Sequence, residues 1–193
     1  MLSFIAPVAA QAQTEAGDPA PTTQAPAEPT AAGTGGTEYG TDPAAPPRVY
    51  VPGPTAQLLD TGYAAAPADA PVEVQEAVFA ANEIVGKPYQ YGGGHRSFKS
   101  AGYDCSGTVS YALNGGGLLN RPLDSSAFMR WGEKGPGLWM TVYTNPGHAY
   151  AVIAGLRLDT SSAGEPVSSG KGPRWRTTAR KLRGYRARHP LGF

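Results

Sequence analysis

The chain has 193 residues, 26 of them glycine and 19 proline, with one cysteine, three histidines and a formal net charge of +1. A single thiol excludes an internal disulfide, and one cysteine with three scattered histidines has no zinc-ligand spacing, so neither a metal nor another cofactor is expected. The small net charge hides a division: residues 13–71 hold one base and seven acids, residues 72–193 fifteen bases and eight acids, yet the basic part has no nucleic-acid fold signature and no nucleic-acid partner is expected.

Residues 1–12 form an apolar run ending in Ala10-Gln11-Ala12, a small-x-small pattern that reads as the remnant of a secretory signal without its basic start. The run is too short to span a bilayer, so the expectation is a secreted or wall-associated protein with no membrane span. Residues 13–71 are dominated by Ala, Pro, Thr and Gly. With few large apolar groups to offset the entropy of ordering, they are expected to stay a disordered linker. Residues 72–193 are left to fold as one compact domain.

Val74, Ala77, Val78, Ala81, Ile84 and Val85 have the spacing of an amphipathic helix over Pro71 to Val85, with Asp69 placed to cap it and Gly86 to end it. Lys87 to Gly94 reads as a loop, because Pro88 blocks helix continuation and three glycines follow. A second helix starts near Cys105 and stops at Asn114-Gly115-Gly116-Gly117, and a short third one runs from a cap at Asp124 to Gly132. The pattern then changes to short runs rich in aromatic and branched residues: Leu138 to Tyr143, His148 to Ile153 and Leu156 to Thr160. Turn signals at Asn145-Pro146-Gly147 and Ala154-Gly155 separate them, and a last strand is expected near Gly184 to Arg188. Helices first and strands afterwards make an α+β domain, N-terminal helices packed on a small antiparallel sheet.

Cys105 opens the second helix, where unpaired N–H groups and the helix dipole favour a thiolate. It reads either as a nucleophile or as a small buried apolar residue. A nucleophilic thiolate needs a base, most often histidine held by a third polar group. His148 begins one expected strand and Asp159 lies near the end of the next, so a tight antiparallel pair sets them side by side. Asp104 reads equally as helix cap or as part of a site. His95 is assigned no role. Lys171, Arg174, Arg176, Arg180, Lys181, Arg183, Arg186 and Arg188 form a C-terminal run of eight bases without an acid among them, which reads as a solvated surface or as a dock for a polyanion.

Gly86-Lys87-Pro88-Tyr89-Gln90-Tyr91-Gly92-Gly93, then Asp104-Cys105-Ser106-Gly107, then Gly147-His148 opening a strand, resembles the NlpC/P60 family of papain-like cysteine peptidases, in particular a subgroup of wall hydrolases from high-GC Gram-positive bacteria. The resemblance covers nearly all of residues 72–193. It implies a papain-like fold, Cys105 as nucleophile, His148 as general base and then acid, and a polar residue on the next strand as orienter. Family members usually carry His, Asn or Gln there, and this chain offers Asp159. Tyr89 corresponds to a tyrosine near the oxyanion site, and Asp104 and Ser106 to substrate-contacting positions. The implied substrates are peptidoglycan stem peptides, typically cut between D-glutamate and a diamino acid; a monomer is expected, and the eight uninterrupted bases, on their own account, suggest a dock for anionic wall polymers. The alternatives are a related amidase or acyltransferase, or a wall-binding module whose site has decayed.

Overall fold

A computed structural model describes residues 45–163, 171–177 and 179–193. The expected signal remnant at 1–12 and the linker as far as residue 44 lie outside the described residues.

From residue 45 to 71 the expectation of disorder is corrected. Three short strands, β1 (Tyr50–Val51), β2 (Gln57–Leu58) and β3 (Ala64–Pro67), form a small sheet in which β3 pairs in parallel with β1 and antiparallel with β2. Ala64, Ala65 and Ala66 are fully buried. Composition misleads here because alanine has little surface to bury but permits close backbone approach, and the deficit is made up by polar bonds. Asn82 donates through Nδ2 to Ala64 O at 2.8 Å, and its Oδ1 accepts from Ala64 N at 2.9 Å and from Trp175 Nε1 at 2.8 Å.

Helix α1 (Val72–Ile84) buries the expected stripe of Val74, Ala77, Val78, Ala81 and Ile84. Its N-cap is Pro71, with no side-chain cap bond. Asp69 stands two residues too early to cap it, because the chain enters the helix from the extended conformation at Pro71. Gly86, with φ at 84°, ends it as a left-handed residue should. Helix α2 (Cys105–Gly115) packs across α1. A Cβ on Gly115 would stand 2.1 Å from the Ala80 Cβ, and one on Gly116 would stand 2.4 Å from Glu73 O. The glycines that read as a helix stop thus also admit the neighbouring helix. Helix α3 (Ser125–Phe128) is a single turn capped by Asp124, whose Oδ1 accepts from Ala127 N at 2.7 Å.

The main sheet has six strands among the described residues: β4 (Glu133–Lys134), β5 (Met140–Asn145), β6 (His148–Ile153), β7 (Leu156–Asp159), β8 (Arg174–Arg176) and β9 (Arg186–His189). They are antiparallel in the order β4-β9-β5-β6-β7-β8. The first expected strand begins and ends two residues later than its sequence run, and β4 and β8 had no sequence signal. Asn145 pairs with His148 across the two-residue turn Pro146-Gly147, and Asn145 Oδ1 accepts from the N–H of both Gly147 and His148 at 2.9 Å. Ile153 pairs with Leu156 across Ala154-Gly155, whose φ values of 45° and 89° make the left-handed turn that suits a twisted hairpin. Helix α2 lies against β6 and β7, and Val74, Val109, Leu113, Phe128, Val142, Ile153 and Leu158 join one apolar core. The opening of α2 is thereby held over the β6–β7 hairpin. Of the eight C-terminal bases only Lys171, Lys181, Arg183 and Arg186 are exposed. Among the described residues no helix is long and apolar enough to cross a membrane.

Candidate active site

Cys105 is the first residue of α2 and is half-buried. Two segments place it. Asp104 caps the helix through Oδ1, which accepts from Gly107 N at 2.8 Å, and Thr108 Oγ1 bonds back to Asp104 O at 2.8 Å. The Tyr89–Gly94 loop lies directly on this first turn: Tyr89 bridges to Tyr103, Tyr103 N donates to Pro88 O at 3.0 Å, and Asp104 N to Gly93 O at 3.2 Å. A Cβ on Gly107 would stand 2.0 Å from Gly93 O, and one on Gly93 2.3 Å from Gly102 O. The glycines of both motifs are therefore needed where two backbones touch.

His148 opens β6 at the sheet end nearest this turn, held there by the Asn145 turn. Its Nε2–H donates to Asp159 Oδ1 at 2.9 Å, and the Cys105 sulfur is its neighbour on α2. The structure thus brings together Cys105, His148 and Asp159 from α2, β6 and β7. Tyr150 and Tyr185 wall the imidazole, with ring centroids 6.3 Å away.

The electrostatics follow from burial and pairing. Burial disfavours the His148 cation, but the hydrogen bonds to Asp159 and Cys105 and their charges overcome it and push the imidazole up to about 9. Burial also disfavours the Asp159 carboxylate. The bond and charge of His148, the Ser161 N–H at 2.9 Å and the charge of Arg180 outweigh it and hold Asp159 below its ordinary value.

Tyr89 is 44% exposed, and burial, then the charges of Cys105 and Asp104, push its phenol above the ordinary value. Asp104 and Ser106 are buried and are joined by His95, to which the sequence had assigned no role. His95 Nε2 lies 2.9 Å from Asp104 Oδ2 and 3.0 Å from Ser106 Oγ. Arg180 is the other residue that sequence reasoning missed, since nothing in a coil segment marks one base of eight as turned inward. Its Nη1 donates to Asp159 Oδ2 at 2.8 Å. A cavity of about 960 Å³ lies elsewhere, bounded by residues 45–48, α1, residues 97–99 and α2, and no member of the Cys105 cluster lines it. Among the described residues no three His, Cys, Asp or Glu side chains gather as metal ligands.

No protein-family model matches the chain, and neither does any curated protein. Solved structures similar to it include the peptidoglycan hydrolase RipB from Mycobacterium tuberculosis, at 23% identity and a TM-score of 0.48 over 63% of this chain and 66% of that one. A variant of the resuscitation promoting factor interacting protein RipA is similar at 21% identity and a TM-score of 0.46, over 63% of each chain. A hypothetical invasion protein of Mycobacterium tuberculosis is similar at 23% identity and a TM-score of 0.44, over 61% of this chain and 62% of that one. The chain spans just under two thirds of the length of each.

Proposed function

We propose that the chain is a cysteine peptidase of the NlpC/P60 type that hydrolyses amide bonds in peptidoglycan stem peptides, between D-glutamate and a diamino acid, as an exported monomer. The observation that supports this reading best is one imidazole hydrogen-bonded to a buried carboxylate and set beside the chain's only thiol. That is the arrangement a thiolate nucleophile needs.

In this reading His148 takes the proton of the Cys105 sulfur. The sulfur attacks the scissile carbonyl carbon, and the pair of electrons displaced onto oxygen is met by the Cys105 backbone N–H and the Tyr89 hydroxyl. When the carbonyl re-forms, the C–N bond breaks and His148 gives its proton to the leaving amine. A water molecule then loses a proton to His148 and attacks the thioester, and the acid product leaves as the sulfur recovers its electrons. Asp159 stays ionised throughout, holding the ring and balancing its charge. Asp104 and Ser106 flank the sulfur and contact the substrate.

Mass analysis of muropeptides incubated with the protein tests this. New fragments differing by one hydrolysed D-glutamyl bond are expected, and Cys105→Ala should abolish them while leaving the fold intact. Appreciable turnover in that variant would refute the nucleophile.

A further inference from the structure

Arg180 lies in the basic C-terminal run, yet its guanidinium turns away from solvent toward the Cys105–His148–Asp159 cluster. Nη1 donates to Asp159 Oδ2 at 2.8 Å and stands 3.5 Å from His148 Nε2. The guanidinium carbon lies 5.6 Å from the ring centres of both Tyr150 and Tyr185, so two aromatic faces fix its direction. The two oxygens of Asp159 therefore have separate partners: Oδ1 takes His148 Nε2–H and the Ser161 N–H, and Oδ2 takes Arg180.

We propose that Arg180 is a positioning residue of the active centre: it holds Asp159 so that one carboxylate oxygen faces His148, and its charge sets how readily the imidazole gives up its proton. This rests on the reading of His148 as the catalytic base.

The physical argument is a three-body one. A buried carboxylate facing one imidazole alone would bind the proton tightly, which slows its transfer to the leaving amine. A fixed cation on the far oxygen divides the carboxylate's field between two partners and repels the imidazolium directly. The other groups facing the pair do not combine a bond to the carboxylate with reach to the ring. Cys105 from α2 favours the imidazolium, and the Tyr150 and Tyr185 rings stand beside the imidazole at centroid distances of 6.3 Å. Arg174 on β8 is only the cross-strand partner of Asp159. Arg157 Nε, 3.6 Å from Asp159 Oδ2, is a second cation on the same oxygen and adds to the same field. Among the described residues, Arg180 is the cation within hydrogen-bonding distance of the carboxylate that also reaches the ring. Arginine suits the place better than lysine, because a guanidinium can bond the carboxylate while its delocalised charge rests beside the Tyr150 and Tyr185 rings.

Imidazole NMR titration of the full chain tests this, with His148→Gln assigning the signal among three histidines. Arg180→Gln should raise the His148 midpoint, from about 9 in the unsubstituted protein, by ~0.5 pH or more, and Arg180→Lys should restore most of the difference. In stem-peptide turnover Arg180→Gln should lower kcat roughly tenfold with KM changed by less than about twofold, its alkaline limb moving upward with the titration. An unmoved midpoint in Arg180→Gln would overturn the proposal. So would equal losses of activity in both variants that track their thermal unfolding, since that is packing alone. Absence of turnover in the unsubstituted protein would instead overturn the peptidase reading, and the NMR midpoint would still decide the placement of Arg180.

Discussion

Asp159 stands where the resemblance leads one to expect a neutral side chain or a histidine, and a carboxylate changes what the imidazole can do. A neutral amide orients the ring; a carboxylate also stabilises its cation, which is why His148 is pushed up to about 9 against the effect of burial. Asp159→Asn keeps the shape and removes that charge. The alkaline limb of kcat/KM should then move down toward the ordinary value of 6.5, and kcat should fall by roughly 10²–10⁴ as the imidazolium loses its counter-charge and the ring its enforced tautomer. A pH–rate profile checks this, and a limb that stays near 9 would mean the carboxylate is not what holds the proton. Stability follows the same linkage. The raised imidazole contributes stability that is fully present below 6.5 and is lost as pH rises through about 9, and the lowered Asp159 contributes stability present above 3.8 and lost as pH falls below it. Denaturant unfolding should weaken across the alkaline window in the unsubstituted protein and not in Asp159→Asn.

The elements that carry these residues were legible where their signals are local. Asp104 and Asp124 cap helices, and Asn145-Pro146-Gly147 and Ala154-Gly155 turn hairpins, because each acts within a few residues of itself. Cys105, His148 and Asp159 could be placed for the same reason: each sits at the end of an element with a clear start or stop. Strands β4 and β8 are two and three residues long, too short for alternation, and exist only because a distant strand pairs with them. His95 and Arg180 were missed because their partners lie 9 and 21 residues away in sequence and neither sits on a regular element. The contact between the glycine loop and α2 yields a prediction at this scale. Gly107→Ala puts a methyl group 2.0 Å from Gly93 O and 3.1 Å from Gly94 Cα, and backbone cannot swing aside as a flexible side chain does. The variant should lose about 1–3 kcal/mol in denaturant unfolding and most of its turnover, because the loop that carries Tyr89 must shift. Unchanged stability would mean the loop gives way freely and does not fix the site.

Across the whole molecule the sequence division at residue 72 separates parts that the structure joins. Charge and composition change there, but the fold boundary lies further toward the N-terminus, since β3 packs against α1 and the backbone of Ala64 is bonded at both N and O by Asn82. Asn82 Oδ1 also holds Trp175 Nε1 of β8, so one buried amide links the small sheet, the first helix and the edge of the large sheet. Removing residues 45–71 would leave Asn82 with the tryptophan alone, in a pocket that no longer excludes water. Each lost hydrogen bond costs about 1 kcal/mol, and uncovering the α1 surface beneath the three alanines adds to it. A fragment of residues 72–193 should therefore unfold at least ~5 °C below one of residues 45–193. Calorimetry on the two compares them directly, and equal midpoints would mean that the alanine strand merely rests on the domain. The same join reaches the Cys105–His148–Asp159 cluster, because α1 packs on α2 and α2 carries Cys105 against β6 and β7. Activity in the shorter fragment should accordingly fall further on warming than stability at room temperature would suggest.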